Sequence, residues 1–175
     1  NYHVQGFGGD LQFVPYHEDR EDGGALLAAA QKNEAKLIYF ANPDNPMGTW
    51  HDADALRSFI AELPESSILL LDEAYVDYAP EEAVLPLAPD GARVVRLRTF
   101  SKAHGMAGAR IGYVVADDVV IAALDKVRNH FGVNRIAQAG ALASLEDGEF
   151  VRSVVRQVAE GKREYAAMAA ELGLQ

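Results

Sequence analysis

Ser67-Ile68-Leu69-Leu70-Leu71, followed at once by Asp72-Glu73-Ala74-Tyr75, is the stretch on which the fold turns. The apolar run is short, continuous and bounded by polar residues, which is the pattern of a buried strand rather than of a helix. Reading outward, Lys36–Ala41 (KLIYFA) is a further expected strand on one side, and Arg93–Arg98 and Arg110–Val115 are two more on the other. Leu11–Tyr16 (LQFVPY) makes a fifth expected strand. Between and after them, helices are expected over Gly24–Asn33, over Asp52–Leu63 with Asp52 as N-cap, and over Asp117–Asn129, Asn134–Glu146 and Glu149–Leu172. Strands separated by helices favour a mostly parallel sheet with helices on its faces. The expected fold class is therefore α/β, a three-layer α/β/α arrangement.

Composition narrows the function. The 175 residues are 49% hydrophobic and 24% charged, the proportions of a globular domain and not of a disordered or fibrous chain. Ile68–Leu71 is the longest strongly apolar stretch, far short of the roughly 20 residues that span a bilayer, so no membrane association is expected. The start carries no pattern of a secretion leader. The absence of cysteine removes disulfide scaffolds, zinc-thiolate sites and thiol nucleophiles, and a cytoplasmic setting is the default expectation. Net charge is −10, split as 17 Asp/Glu against 4 Lys/Arg over residues 1–90 and 9 against 12 over residues 91–175. An acidic chain without a basic cluster is a poor partner for a nucleic-acid backbone. Gly6-Phe7-Gly8-Gly9 is not a dinucleotide fingerprint, because a strand and not a helix is expected after it. No histidine pair has metal-ligand spacing, and no Ser-His-Asp nucleophile elbow is present.

Three polar clusters fall at the C-terminal ends of successive expected strands: Asn42–Gly48 (NPDNPMG), Asp72–Tyr75 (DEAY) and Thr99–Lys102 (TFSK). That edge of an open α/β sheet is where ligands bind, so their common address points to one shared site. Taken singly, an Asp at a strand end is usually a cap, a loop lysine is solvated, and Asn-Pro pairs make turns. Taken together they fit one chemistry. A lysine amine forms a Schiff base with a carbonyl cofactor. A carboxylate keeps a pyridine nitrogen protonated and makes the ring an electron sink. Hydroxyls and an arginine, here Arg110 beyond the Gly105–Gly108 turn, hold a phosphate.

NPDNPMGT, LDEAYVDY and RTFSKAHGMAGARIGY resemble the three signatures of the fold-type I pyridoxal-phosphate aminotransferases, in the class I/II branch that includes histidinol-phosphate aminotransferases. The match runs in order over nearly the whole chain. The resemblance implies pyridoxal 5′-phosphate as cofactor, and Lys102 as its covalent anchor and as the group that moves the substrate proton. It implies Asp72 on the pyridine nitrogen, Tyr75 and Asn45 on the ring oxygen, and Thr99, Ser101 and Arg110 on the phosphate. The last strand is implied to run antiparallel. Asn42 is expected to shape the turn, Glu73 to be structural, and His104 to lie at the loop surface rather than on substrate. Asn134 lies in a segment resembling the family's approach to the site. Tyr2 and His3 are expected near the cofactor.

The implied function is amino-group transfer between an amino acid and a keto acceptor, histidinol phosphate or an aromatic amino acid among the candidates, by a cytoplasmic homodimer in amino-acid metabolism. Decarboxylation or carbon–sulfur lysis with the same cofactor stays open, as does the effector domain of a transcription regulator. Family members are more than twice this length. Residues 1–149 are therefore expected to be part of the cofactor domain, and 150–175 a helix leading to a smaller domain. The upstream phosphate loop and the arginine that grips the substrate carboxylate are expected outside this sequence, and the isolated chain is expected to be inactive.

Overall fold

A computed structural model describes residues 2–89 and 91–174; Asn1 and Gln175, the outer limits of the two expected domains, and Asp90 lie outside the described residues. In chain order the elements are α1 (Tyr2–Gly6), α2 (Gly23–Lys32), β1 (Leu37–Ala41), α3 (Ala53–Ala61), β2 (Ile68–Asp72), β3 (Val94–Thr99) and β4 (Gly112–Val115). They are followed by α4 (Asp118–Val127), α5 (Arg135–Glu146) and α6 (Gly148–Glu171). The strands form one sheet in the order β1-β2-β3-β4. β1, β2 and β3 are parallel, with Ala41 opposite Asp72 and Asp72 opposite Leu97. β4 runs antiparallel to β3, as the resemblance implied, with Thr99 opposite Gly112. A Cβ at position 112 would lie 2.6 Å from the Arg98 carbonyl oxygen, so only glycine lets β4 begin this close to β3.

Alternation decides what is buried. Ile38 and Phe40 of β1, Leu69 and Leu71 of β2 and Val94 of β3 form the core with Ala30 of α2, with Leu56 and Phe59 of α3 and with Leu63. Each fully buried large side chain among them contributes about 1.5–3 kcal/mol. The two covering helices are started by aspartates. Asp22 accepts from the Ala25 N–H at 2.9 Å and Asp52 from the Ala55 N–H at 2.8 Å, the second being the expected cap. Leu37 and Tyr39, on the opposite face of β1, are exposed. The α/β class expected from the sequence is what the chain adopts.

The strand expected over Leu11–Tyr16 does not form. That segment is irregular, Phe13 is 75% exposed, and the nearest sheet-like contact is an isolated bridge between His17 and Arg20. β-propensity describes a surface that fits a partner, and this segment pairs with neither β1 nor β4, the edges of the sheet. The sheet among the described residues accordingly has four strands and not five. From Gly9 to the start of α2 at Gly23 there is neither strand nor helix, so the strand expected after the glycine run is absent. The strand expected from Arg110 starts two residues later, because Arg110 takes a left-handed backbone with φ of 54°. Among the described residues, no helix is long and apolar enough to cross a membrane, and no group of three or more His, Asp or Glu is placed to hold a metal ion.

Candidate active site at the strand ends

Because β1, β2 and β3 are parallel, Asn42–Gly48, Asp72–Tyr75 and Thr99–Lys102 emerge on one edge of the sheet. In the first loop the two asparagines divide the work. Asn42 is buried, accepts from the His51 N–H at 2.8 Å and donates to the carbonyls of His51 at 3.1 Å and Ala83 at 3.4 Å. It shapes the turn, as expected. Asn45 stays exposed at the tip, where its amide donates to the Tyr75 hydroxyl at 3.2 Å.

Asp72 closes β2 with both carboxylate oxygens engaged. Oδ1 accepts from the Ala74 N–H at 2.9 Å, which folds the chain back toward Tyr75. Oδ2 accepts from the Tyr39 hydroxyl at 2.7 Å. The Lys102 ammonium lies 4.7 Å from the centre of the Tyr75 ring, within cation–π reach. Thr99 Oγ1 accepts from the Ser101 N–H at 3.0 Å and holds the start of the lysine loop. Across that loop Arg110 Nη1 donates to the Ala107 carbonyl at 2.8 Å and lies 3.5 Å from Ser101 Oγ. The seven residues expected to contact the cofactor are therefore on this edge, tied in chains Asn45–Tyr75–Lys102 and Thr99–Ser101–Arg110, with Asp72 joined to the first through its own turn.

The residue beside Asp72 has the opposite environment. Glu73 is 3% exposed and forms a two-point ion pair with Arg96, at 2.7 and 3.0 Å, plus a third contact to Arg98 at 2.8 Å. Arg96, itself 0% exposed, also donates to the carbonyls of Leu85, Pro86 and Ala88. The structural role expected of Glu73 is met by this network.

Two acidic neighbours frame the cluster. The Glu21 carboxylate reaches the Ala41 N–H at 3.1 and 3.3 Å, and burial, reinforced by Asp44 and Asp72, pushes it up to about 7. Asp44 is buried, and its Oδ2 has no hydrogen-bond partner among the described residues. Two concavities flank the cluster. One of about 330 Å³ is lined by His17, Glu21 and His51, and one of about 480 Å³ lies between Asp44, Asn45, Tyr75 and Tyr78 and the side chains of Val158 and Lys162.

Other expectations resolve individually. His104 is half-buried, its Nδ1 2.7 Å from Ser144 Oγ and its ring 4.8 Å from that of Phe100, so it ties the lysine loop to α5. Asn134 is the N-cap of α5, accepting from the Ala137 N–H at 2.8 Å. Tyr2 is 91% exposed in α1. Tyr39 and Glu21 are the neighbours of Asp72 that sequence reasoning did not single out. Tyr39 falls on the same face as Asp72 by strand alternation, but the pairing of Ala41 with Asp72 is what brings it near.

The donor set fits a phosphorylated pyridine aldehyde. An amine for the aldehyde, a carboxylate for a ring nitrogen, a phenol with an amide for a ring oxygen, and hydroxyls with a guanidinium for a phosphate all stand on one edge. Residues 3–174 match the family model of aminotransferase class I and II. A histidinol-phosphate aminotransferase of Pseudomonas fluorescens is 38% identical, over 98% of this chain and 47% of that protein. An aromatic amino acid aminotransferase of Mycolicibacterium paratuberculosis is 43% identical, over 89% of this chain and 44% of that protein. The solved structure of histidinol-phosphate aminotransferase from Sinorhizobium meliloti in complex with pyridoxal-5′-phosphate superposes with a TM-score of 0.95 at 47% identity, covering 98% of this chain and 47% of that one. The chain thus spans about half the length of the curated relatives it matches. Strand ends, motifs and relatives agree, and the chain belongs to the aminotransferase class I and II family.

Proposed function

We propose that this chain forms the cofactor-binding part of a longer pyridoxal-phosphate-dependent aminotransferase, which moves an amino group between an amino acid and a 2-oxo acid or related ketone. The observation that carries the reading is the Lys102 ammonium standing 4.7 Å from the Tyr75 ring centre, with the Tyr75 hydroxyl held by Asn45 and with Asp72 opening the turn that carries Tyr75. Bound there, pyridoxal phosphate supplies an aldehyde that joins amines and a ring that draws electrons from the substrate Cα. Lys102 is the anchor for the aldehyde and, once displaced by substrate, carries the proton to and from Cα. Asp72 keeps the ring nitrogen protonated. Tyr75 and Asn45 donate to the ring oxygen, and Thr99, Ser101 and Arg110 bind the phosphate.

Substrates of the histidinol-phosphate or aromatic type are supported by the relatives of 38% and 43% identity. A homodimeric, cytoplasmic enzyme of amino-acid biosynthesis belongs to the same proposal. A screen of amino donors and keto acceptors on the full-length protein tests it. Transfer from glutamate, histidinol phosphate or an aromatic amino acid is expected, with repeated turnover abolished in Lys102→Ala. Decarboxylation or β-elimination without transfer would overturn the reading.

A further inference from the structure

The hydroxyl of Tyr39 lies 2.7 Å from Asp72 Oδ2, the length of a charge-assisted O–H···O⁻ bond. Tyr39 stands on β1 two residues before Ala41, the residue paired with Asp72, so the contact is a diagonal one across the sheet face. The second oxygen, Oδ1, is taken by the Ala74 N–H at 2.9 Å. Two fixed donors thus fix the plane of the carboxylate. Both are neutral, unlike the arginines that close around Glu73. Partial burial, the Asp72 hydrogen bond and the charges of Asp72, Glu21 and Asp44 all raise the Tyr39 phenol above its ordinary value, so it stays a donor.

We propose that Tyr39 is a positioning residue for Asp72: its hydroxyl orients the carboxylate and holds the negative charge on it, so that the proton shared with the cofactor's ring nitrogen resides on the ring. The inference rests on the reading of Asp72 as the ring-nitrogen partner. Hydrogen bonds to an ionised carboxylate favour the ionised form. Without the phenol the carboxylate becomes the more basic partner and the shared proton moves toward it. Tyr39 acts only through Asp72.

The test uses the full-length protein, its apo form loaded with ¹⁵N-labelled pyridoxal phosphate. The ring-nitrogen chemical shift and the cofactor Kd are measured for wild type, Tyr39→Phe, Asp72→Asn and the double variant. Asp72→Asn is expected to move the ring nitrogen to the unprotonated position. Tyr39→Phe is expected to move it part of the way and to weaken cofactor binding about 3- to 10-fold. The double variant is expected to match Asp72→Asn alone. In the apo protein, Asp72→Asn is expected to bring the Tyr39 phenol titration down toward the ordinary tyrosine range. A wild-type shift and Kd in Tyr39→Phe, while Asp72→Asn moves both, overturns the role of Tyr39 and leaves the site reading standing. An unmoved ring nitrogen in Asp72→Asn overturns the site reading itself, and Tyr39's role with it.

Discussion

Asp72 and Glu73 are consecutive carboxylates at the end of one strand, and they differ in almost everything else. Strand alternation sends them to opposite faces. Glu73 turns into the side where Leu71 and Val94 are buried, and is closed by Arg96 and Arg98. Asp72 turns to the side of Tyr39, half-exposed and held, among the described residues, by two neutral donors. A carboxylate matched by two cations has no charge left for a ligand, whereas one held by a phenol and an amide still has it. The chain therefore uses the same functional group twice, once to fix the turn and, on the proposed reading, once to serve the site. Position on the pleat decides which is which.

The comparison breaks if the two residues exchange phenotypes. Glu73→Gln should cost about 3 kcal/mol of unfolding free energy, the low end for breaking a buried pair, because Arg96 keeps the carbonyls of Leu85, Pro86 and Ala88. Urea denaturation of the full-length protein measures this. A change below about 0.5 kcal/mol, the usual scale for a surface substitution, would show that the network does not hold the turn.

Asp72→Asn should do the reverse. Stability should stay within about 0.5 kcal/mol of wild type, while turnover falls roughly 10²-fold, the scale for losing one preorganised electrostatic partner. Steady-state kinetics beside the same denaturation curve checks both halves. A large loss of stability with cofactor chemistry intact would make Asp72 a second structural carboxylate.

Glu21 sharpens the contrast, as a half-buried acid in no ion pair among the described residues. Its carboxyl is raised from the usual carboxylate range to about 7, chiefly by burial. The folded state then binds this proton more tightly than the unfolded state does. The stability it contributes is complete below about pH 4.5 and is lost as pH rises through about 7. Glu21→Gln retains an acceptor for the Ala41 N–H and should flatten that slope. At pH 8 it should gain about 1–2 kcal/mol over wild type, after allowance for partial solvent screening. Denaturation at pH 5 and pH 8 decides; equal slopes in both proteins would place Glu21 in water-like surroundings.

These contrasts also show what a sequence can and cannot disclose. β1 and β2 were legible because their apolar runs are short and bounded by turn residues, and the candidate site was proposed because polar clusters come directly after successive strands. Leu11–Tyr16 carried the same local signal and formed no strand, since propensity does not supply a neighbour to pair with. Tyr39 and Glu21 read as an ordinary strand residue and a loop acid. Their closeness to Asp72 depends on pairing between residues about thirty to fifty positions apart, which no local pattern encodes. Arg96 and Arg98 were placed correctly on a strand, but their partner Glu73 lies 23 and 25 residues away.

The central claim is that the strand-end cluster around Lys102 holds the cofactor. Borohydride reduction of the full-length protein loaded with pyridoxal phosphate, followed by peptide mapping, tests it most directly. A single stable adduct on Lys102 is expected, absent from Lys102→Ala. An adduct on Lys32, Lys36, Lys126 or Lys162 instead would contradict it.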